Sequence, residues 1–134
     1  MRITASAVSL TVTDPEASAR YLEQAFSFER EMAADGFVSL SRRDVGFNVV
    51  YLRAGLTTFK PRDRAARTAG GVLLVLVVDD IDAEYERLTA AGVPILTPLE
   101  TEEWGERYFQ VEDPNAVIIQ LVQWVAPAPP SAIA

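Results

Sequence analysis

The side chains able to do chemistry in this chain are few, because its 134 positions include no histidine and no cysteine. Imidazole is the commonest general base near neutral pH and the commonest metal ligand. Zinc, copper and ferrous sites built on His or Cys are therefore excluded, as are Ser-His-Asp and Cys-His nucleophiles. Any catalysis must run on Asp, Glu, Tyr, Arg, Lys or backbone dipoles. Two positions stand out against that background. Gln120 lies in DPNAVIIQLVQW, a turn signal followed by a run that otherwise reads as buried strand. A buried amide without partners costs about 1–3 kcal/mol, so Gln120 either meets main-chain groups or looks into a cavity. Trp104 lies in TPLETEEWGERYF, between two acidic stretches, on a loop that feeds a strand. Its indole is either a platform for a planar ligand or a cap on the sheet edge. Along the following strand Tyr108 and Gln110 alternate with Arg107 and Phe109, and the pair Tyr108 and Gln110 is assigned to the cavity side.

The elements that must position these residues follow from periodicity and punctuation. Residues 3–13 read as a strand with Val8, Leu10 and Val12 on one face and the small Ala7, Ser9 and Thr11 on the other. Asp14 reads as an N-cap and Pro15 as the first helical residue, with Ala19, Leu22 and Phe26 forming the apolar stripe. Strand-like segments follow in FEREMAA, GFVSLSRR and GFNVVYLRA. A basic, glycine-flanked stretch over 55–70 then carries Lys60, Arg62, Arg64 and Arg67; it reads as a solvated loop pairing with acidic surface, with a mobile lid as the functional alternative. The second half repeats the plan: a strand in GGVLLVLVV, a cap at Asp80, a helix closed by Gly92, then strands in VPILTP, GERYFQVEDP and VIIQLVQW. Each half is β-α-β-β-β, so the fold class is α+β with two tandem modules, about 3–54 and about 71–125, in a single domain over 1–125. The tail 126–134 is proline-rich and expected to be disordered.

This order, carried by AVSLTVTDPEASARYLEQAF, VLLVLVVDDIDAEYERLTAAGV and WGERYFQVEDPNAVIIQL, resembles the vicinal oxygen chelate superfamily of glyoxalase I, extradiol dioxygenases and bleomycin-resistance proteins. The resemblance implies two βαβββ modules forming a cupped mixed sheet around a pocket, often at a homodimer interface. It also implies a metal in the enzymes, with a His where this chain has Ala7, often another where it has Leu73, and a Glu where it has Gln120. Those substitutions, with zero histidines, argue against the usual metal site, so no metal, no cofactor and no catalytic residue are expected. An all-oxygen site would need several inward carboxylates, and the faces Ala7-Ser9-Thr11, Leu73-Val75-Val77 and Ile118-Gln120-Val122 hold none. The expected binding set is Trp104, Gln120, Tyr108, Gln110, Ser9 and Trp124. Phe47, Asn48 and Tyr51 join it from the strand that lines the pocket in relatives, their face left unassigned. Phe37 is expected in the core.

The expected function is sequestration of a bulky aromatic or amphiphilic natural product, as in bleomycin resistance. The alternative is a lyase, isomerase or dioxygenase of the same superfamily. The net charge of −7 argues against nucleic acid. No apolar run reaches the roughly 20 residues of a membrane helix and no signal peptide is evident, so a cytoplasmic location is expected. A homodimer is expected because each module would leave an apolar sheet face uncovered.

Overall fold

The computed structural model describes residues 1–125; the tail expected to be disordered lies outside them. The chain divides into two compact units, the first ending at Gly70 and the second beginning at Gly71. Each holds one helix and a four-stranded mixed sheet. In the first unit the elements are β1 (Ala7–Val12), α1 (Pro15–Phe26), β2 (Glu29–Ala34), β3 (Phe37–Ser41) and β4 (Asn48–Arg53), with spatial order β1-β4-β3-β2. The second holds β5 (Leu73–Val77), α2 (Ile81–Ala90), β6 (Ile95–Thr101), β7 (Glu106–Glu112) and β8 (Ile118–Trp124), ordered β5-β8-β7-β6. In both, the first strand runs parallel to the last and the other pairs are antiparallel.

The corner signals act as expected. The Asp14 carboxylate accepts from the Ala17 amide at 3.2 Å, and Asp80 accepts from Ala83 at 3.1 Å, each satisfying an otherwise orphaned N–H of a first helical turn. Gly92 supplies the positive φ, +77°, after α2. Helix α1 instead ends on Ser27 at φ 58°.

The helix-facing side of each sheet is its core. In the first unit Leu10, Val12, Val38, Leu40 and Val49 pack with Ala19, Leu22 and Phe26 of α1 out of water. In the second, Leu74, Phe109, Val111, Ile119 and Leu121 are buried with Ile81 and Leu88 of α2. Arg30 of β2 reaches back to α1, where its guanidinium donates to Glu16 and Glu23.

Three boundaries differ from the sequence reading. Strand β1 begins at Ala7 rather than near Ile3, which is exposed. Strand β6 continues through Pro98 to Thr101. It lies at the sheet edge, where a missing N–H can face solvent, and its register slips between Thr97 and Glu100. The basic loop is folded: Gly55 N–H donates to Ala65 O, Ala69 N–H to Thr11 O, and Arg62–Arg64 form a 3-10 turn. Arg62 donates to the carbonyls of Leu56 and Thr57. The expected pairing of this loop with acidic side chains does not occur among the described residues; its arginine holds its own backbone instead.

Candidate functional site

The face of the second sheet that turns away from α2 is laid out in rows by strand register. Its first row runs Thr97, Gln110, Gln120, Val75 across β6, β7, β8 and β5. The next runs Glu100, Tyr108, Val122, Val77, and beyond it Glu106 stands opposite Trp124. Rows are about 7 Å apart along the strands. Thr97, Glu100, Tyr108, Gln110 and Gln120 make its polar part, and the β5 edge its exposed apolar part. Leu73, Val75 and Val77 are 44–48% exposed there.

Gln120 therefore faces away from the helix, as its alternation with the buried Ile119 and Leu121 requires. Its partner is neither main chain nor empty space. The Gln120 Oε1 accepts from Gln110 Nε2 at 2.8 Å, and Gln110 Oε1 accepts from the Thr97 hydroxyl at 2.7 Å. One row of three side chains thus forms a single hydrogen-bonded chain that ends at the Gln120 amide nitrogen. That nitrogen has no hydrogen-bond partner among the described residues. Thr97 was not singled out from sequence; the alternation in VPILTP, once paired with β7, would have found it.

Tyr108 shares this face, as assigned. Its hydroxyl stands 2.7 Å from a Glu100 oxygen and 2.9 Å from a Glu102 oxygen. Hydrogen bonding to those two carboxylates, more than burial, holds the phenol well above the ordinary tyrosine range. Tyr108 is therefore a locked donor at neutral pH and cannot serve as a base. Because its folded value exceeds the unfolded one, this contribution to stability is whole below pH 10 and is lost as pH rises beyond it. In an absorbance titration, Tyr108→Phe should leave proton release around the ordinary phenol value unchanged. A release step near pH 10 that vanishes in the variant would overturn the assignment.

Trp124 is on the same face and half-buried, its indole N–H without a partner among the described residues. Trp104 lies in the β6–β7 turn, 52% exposed. Gln120 and the Trp124 position are separated by four residues of strand, about 14 Å, and Trp104 lies beyond. A single ring cannot touch both Trp104 and Gln120; only an extended molecule reaches both.

In the first unit Ser9 and Asn48 fall on the face opposite α1, with Val50 and Leu52. Phe47 is half-buried in the bend before β4. Tyr51 departs from the expected set: it pairs with Leu10 and Val38 on the helix side and is 0% exposed. Phe37 is half-buried on the face opposite α1, not in the core. A cleft of ≈ 300 Å³ at the corner of this unit includes Asp14, Glu16, Asp35 and Arg53. Its charged groups are already engaged, Arg53 with Asp35 and Glu16 with Arg30.

Charge divides unevenly. The first unit carries ten Lys and Arg residues and eight acids; the second carries two and eleven.

Two tandem βαβββ units, each with a helix behind a mixed sheet, define the class. The chain belongs to the Glyoxalase/Bleomycin resistance protein/Dioxygenase superfamily, which it matches over residues 4–121. Among solved structures it is similar to a glyoxalase/bleomycin resistance protein/dioxygenase from Nocardioides (TM-score 0.80, 20% identity, covering 100% of this chain and 91% of that one). It is also similar to TioX from Micromonospora sp. ML1 (TM-score 0.67, 26% identity, 91% and 99%) and to a lactoylglutathione lyase from Agrobacterium tumefaciens (TM-score 0.70, 14% identity, 92% and 96%). A 43-residue segment, 32% of this chain, is 44% identical to an uncharacterized protein of Mycobacterium bovis (strain ATCC BAA-935 / AF2122/97), of which it spans 28%.

The enzymes of such a family imply a metal, and the donor set here does not fit one. Ala7 and Leu73 open β1 and β5 with hydrocarbon, and Gln120 offers an amide whose oxygen already accepts from Gln110. No group of three Asp, Glu, His or Cys side chains able to hold an ion occurs among the described residues. No helix among them is long and apolar enough to cross a membrane.

Proposed function

We propose that this chain is a metal-free, cytoplasmic binding protein that sequesters a bulky aromatic or amphiphilic natural product, in the manner of bleomycin resistance, and works as a homodimer. The observation that carries the reading is the second sheet's open face. It joins an exposed apolar strip of Leu73, Val75 and Val77 to a neutral polar row of Thr97, Gln110 and Gln120. Small-molecule sites are built in that way, apolar wall with a few placed polar groups. The partly exposed apolar strip on β5 supports pairing between copies. A lyase, isomerase or dioxygenase of the superfamily is the alternative, which would have to run on the carboxylates of Glu100, Glu102 or Glu106 beside Tyr108 and Trp124.

The test is elemental analysis of gently purified protein beside a tryptophan-quenching screen of planar natural products. The expected outcome is no stoichiometric divalent metal and saturable quenching by an extended aromatic compound. For such a ligand Trp104→Ala should weaken binding thirtyfold or more, about 2 kcal/mol, the usual cost of removing an aromatic anchor. One tightly held metal ion per chain would restore the enzyme reading.

A further inference from the structure

We infer that the second unit's open face selects a ligand that presents a hydrogen-bond acceptor, such as a ring carbonyl, to the Gln120 amide nitrogen, and that Thr97 and Gln110 are the residues that set this preference. The inference rests on the binding reading above and names its ligand chemistry. An isolated glutamine on a pocket wall is indifferent, because rotation about its last bond exchanges a donor for an acceptor. Gln120 is not isolated. Thr97 donates to Gln110 Oε1, which leaves the Gln110 NH₂ turned toward Gln120, and that NH₂ donates to Gln120 Oε1. With its oxygen engaged, Gln120 turns its own NH₂ outward. Wired in reverse, the same three side chains would present a carbonyl and select a donor.

Hydrogen-bonded chains polarise one another, so each link strengthens the next donor. The polar row also abuts hydrocarbon: Val75 is the cross-strand neighbour of Gln120 on β5, and Leu73 and Val77 stand exposed two residues to either side of it. A flat apolar molecule lying on that strip brings one edge to the amide. An acceptor at that edge is satisfied, whereas an N–H there meets another N–H. Thr97 and Gln110 act through Gln120 and are positioning residues.

Three tricyclic probes of one outline separate the cases: 9-fluorenone carries an acceptor, fluorene neither group, and carbazole a donor. In equilibrium dialysis with the full chain, 9-fluorenone should bind about fivefold tighter than fluorene, the usual worth of one neutral hydrogen bond, and carbazole should bind weakest. Gln120→Leu should bring the three within about twofold. Gln120→Glu places only acceptor oxygens at that point and should invert the order in favour of carbazole. Thr97→Val, close in shape, should reduce the 9-fluorenone preference while fluorene affinity stays constant, and Thr97→Ser should restore it; a purely structural Thr97 would alter all three probes alike. Equal binding of the probes by the native chain, a carbazole preference, or a 9-fluorenone preference that survives Gln120→Leu would each overturn the inference and leave the binding reading standing. Failure of all three probes to bind would overturn both.

Discussion

Phe109→Ala is expected to lower the unfolding free energy by about 4 kcal/mol, within the range for emptying a packed aromatic position. Phe109 is 0% exposed, sits opposite Leu121 in the β7–β8 ladder, and meets the Tyr85 ring of α2 edge-on with centroids 5.0 Å apart. It is a ring contact between the helix and the strand that carries Tyr108 and Gln110 on its other side. Its loss creates a cavity directly behind the polar row, so ligand affinity should fall with stability. Urea unfolding followed by far-ultraviolet circular dichroism measures the change. A loss below about 1 kcal/mol would mean that the site collapses freely and that Phe109 does not anchor the sheet.

Asp113→Ala should cost about 2–4 kcal/mol for a different reason. Asp113 is 4% exposed, and its Oδ1 accepts from the Asn115 and Val117 amides at 2.8 and 2.9 Å. Removing it orphans two N–H groups, one in a buried bond, and charge-assisted hydrogen bonds are the costly ones to lose. The same turn places Ala116 at φ 64° and sets the pairing of Glu112 with Ile118, hence of Gln110 with Gln120. Asp113→Asn keeps an accepting oxygen and should recover part of the loss. If Asp113→Ala unfolds at the native urea midpoint, the carboxylate does not hold the turn.

Much of this architecture was legible because its signals are local. An aspartate before Pro15 and another before Ile81 announce helix starts without any knowledge of the rest of the chain. The face of Gln120 was legible as well, from its alternation with Ile119 and Leu121. Its partner was not, because Gln110 becomes its neighbour only when the length of the 113–117 turn is fixed. Tyr51 was unreadable for a related reason. Its strand is apolar on both faces, and only pairing with Leu10 and Val38 decides that the ring belongs under α1. Pro98 read as a terminator because the sequence does not say that β6 is an edge strand. The basic loop is exposed, as its composition suggested, but its pairing with acidic surface was misread, since nothing local shows that Arg62 will bind carbonyls five and six residues before it.

The row of Thr97, Gln110, Gln120 and Val75 contains no group that gains or loses a proton between about pH 5 and pH 9. A hydroxyl, two amides and a hydrocarbon carry the same charge, zero, throughout that interval. On the proposed binding reading, the contact made by this row would be the same throughout that interval, and any dependence on acidity would have to come from the Glu100 and Glu106 carboxylates on the same face. If the proposed sequestration holds, such a row would serve as a passive buffer of its ligand, lowering the free amount and returning it by dilution or by competition from something that binds more tightly.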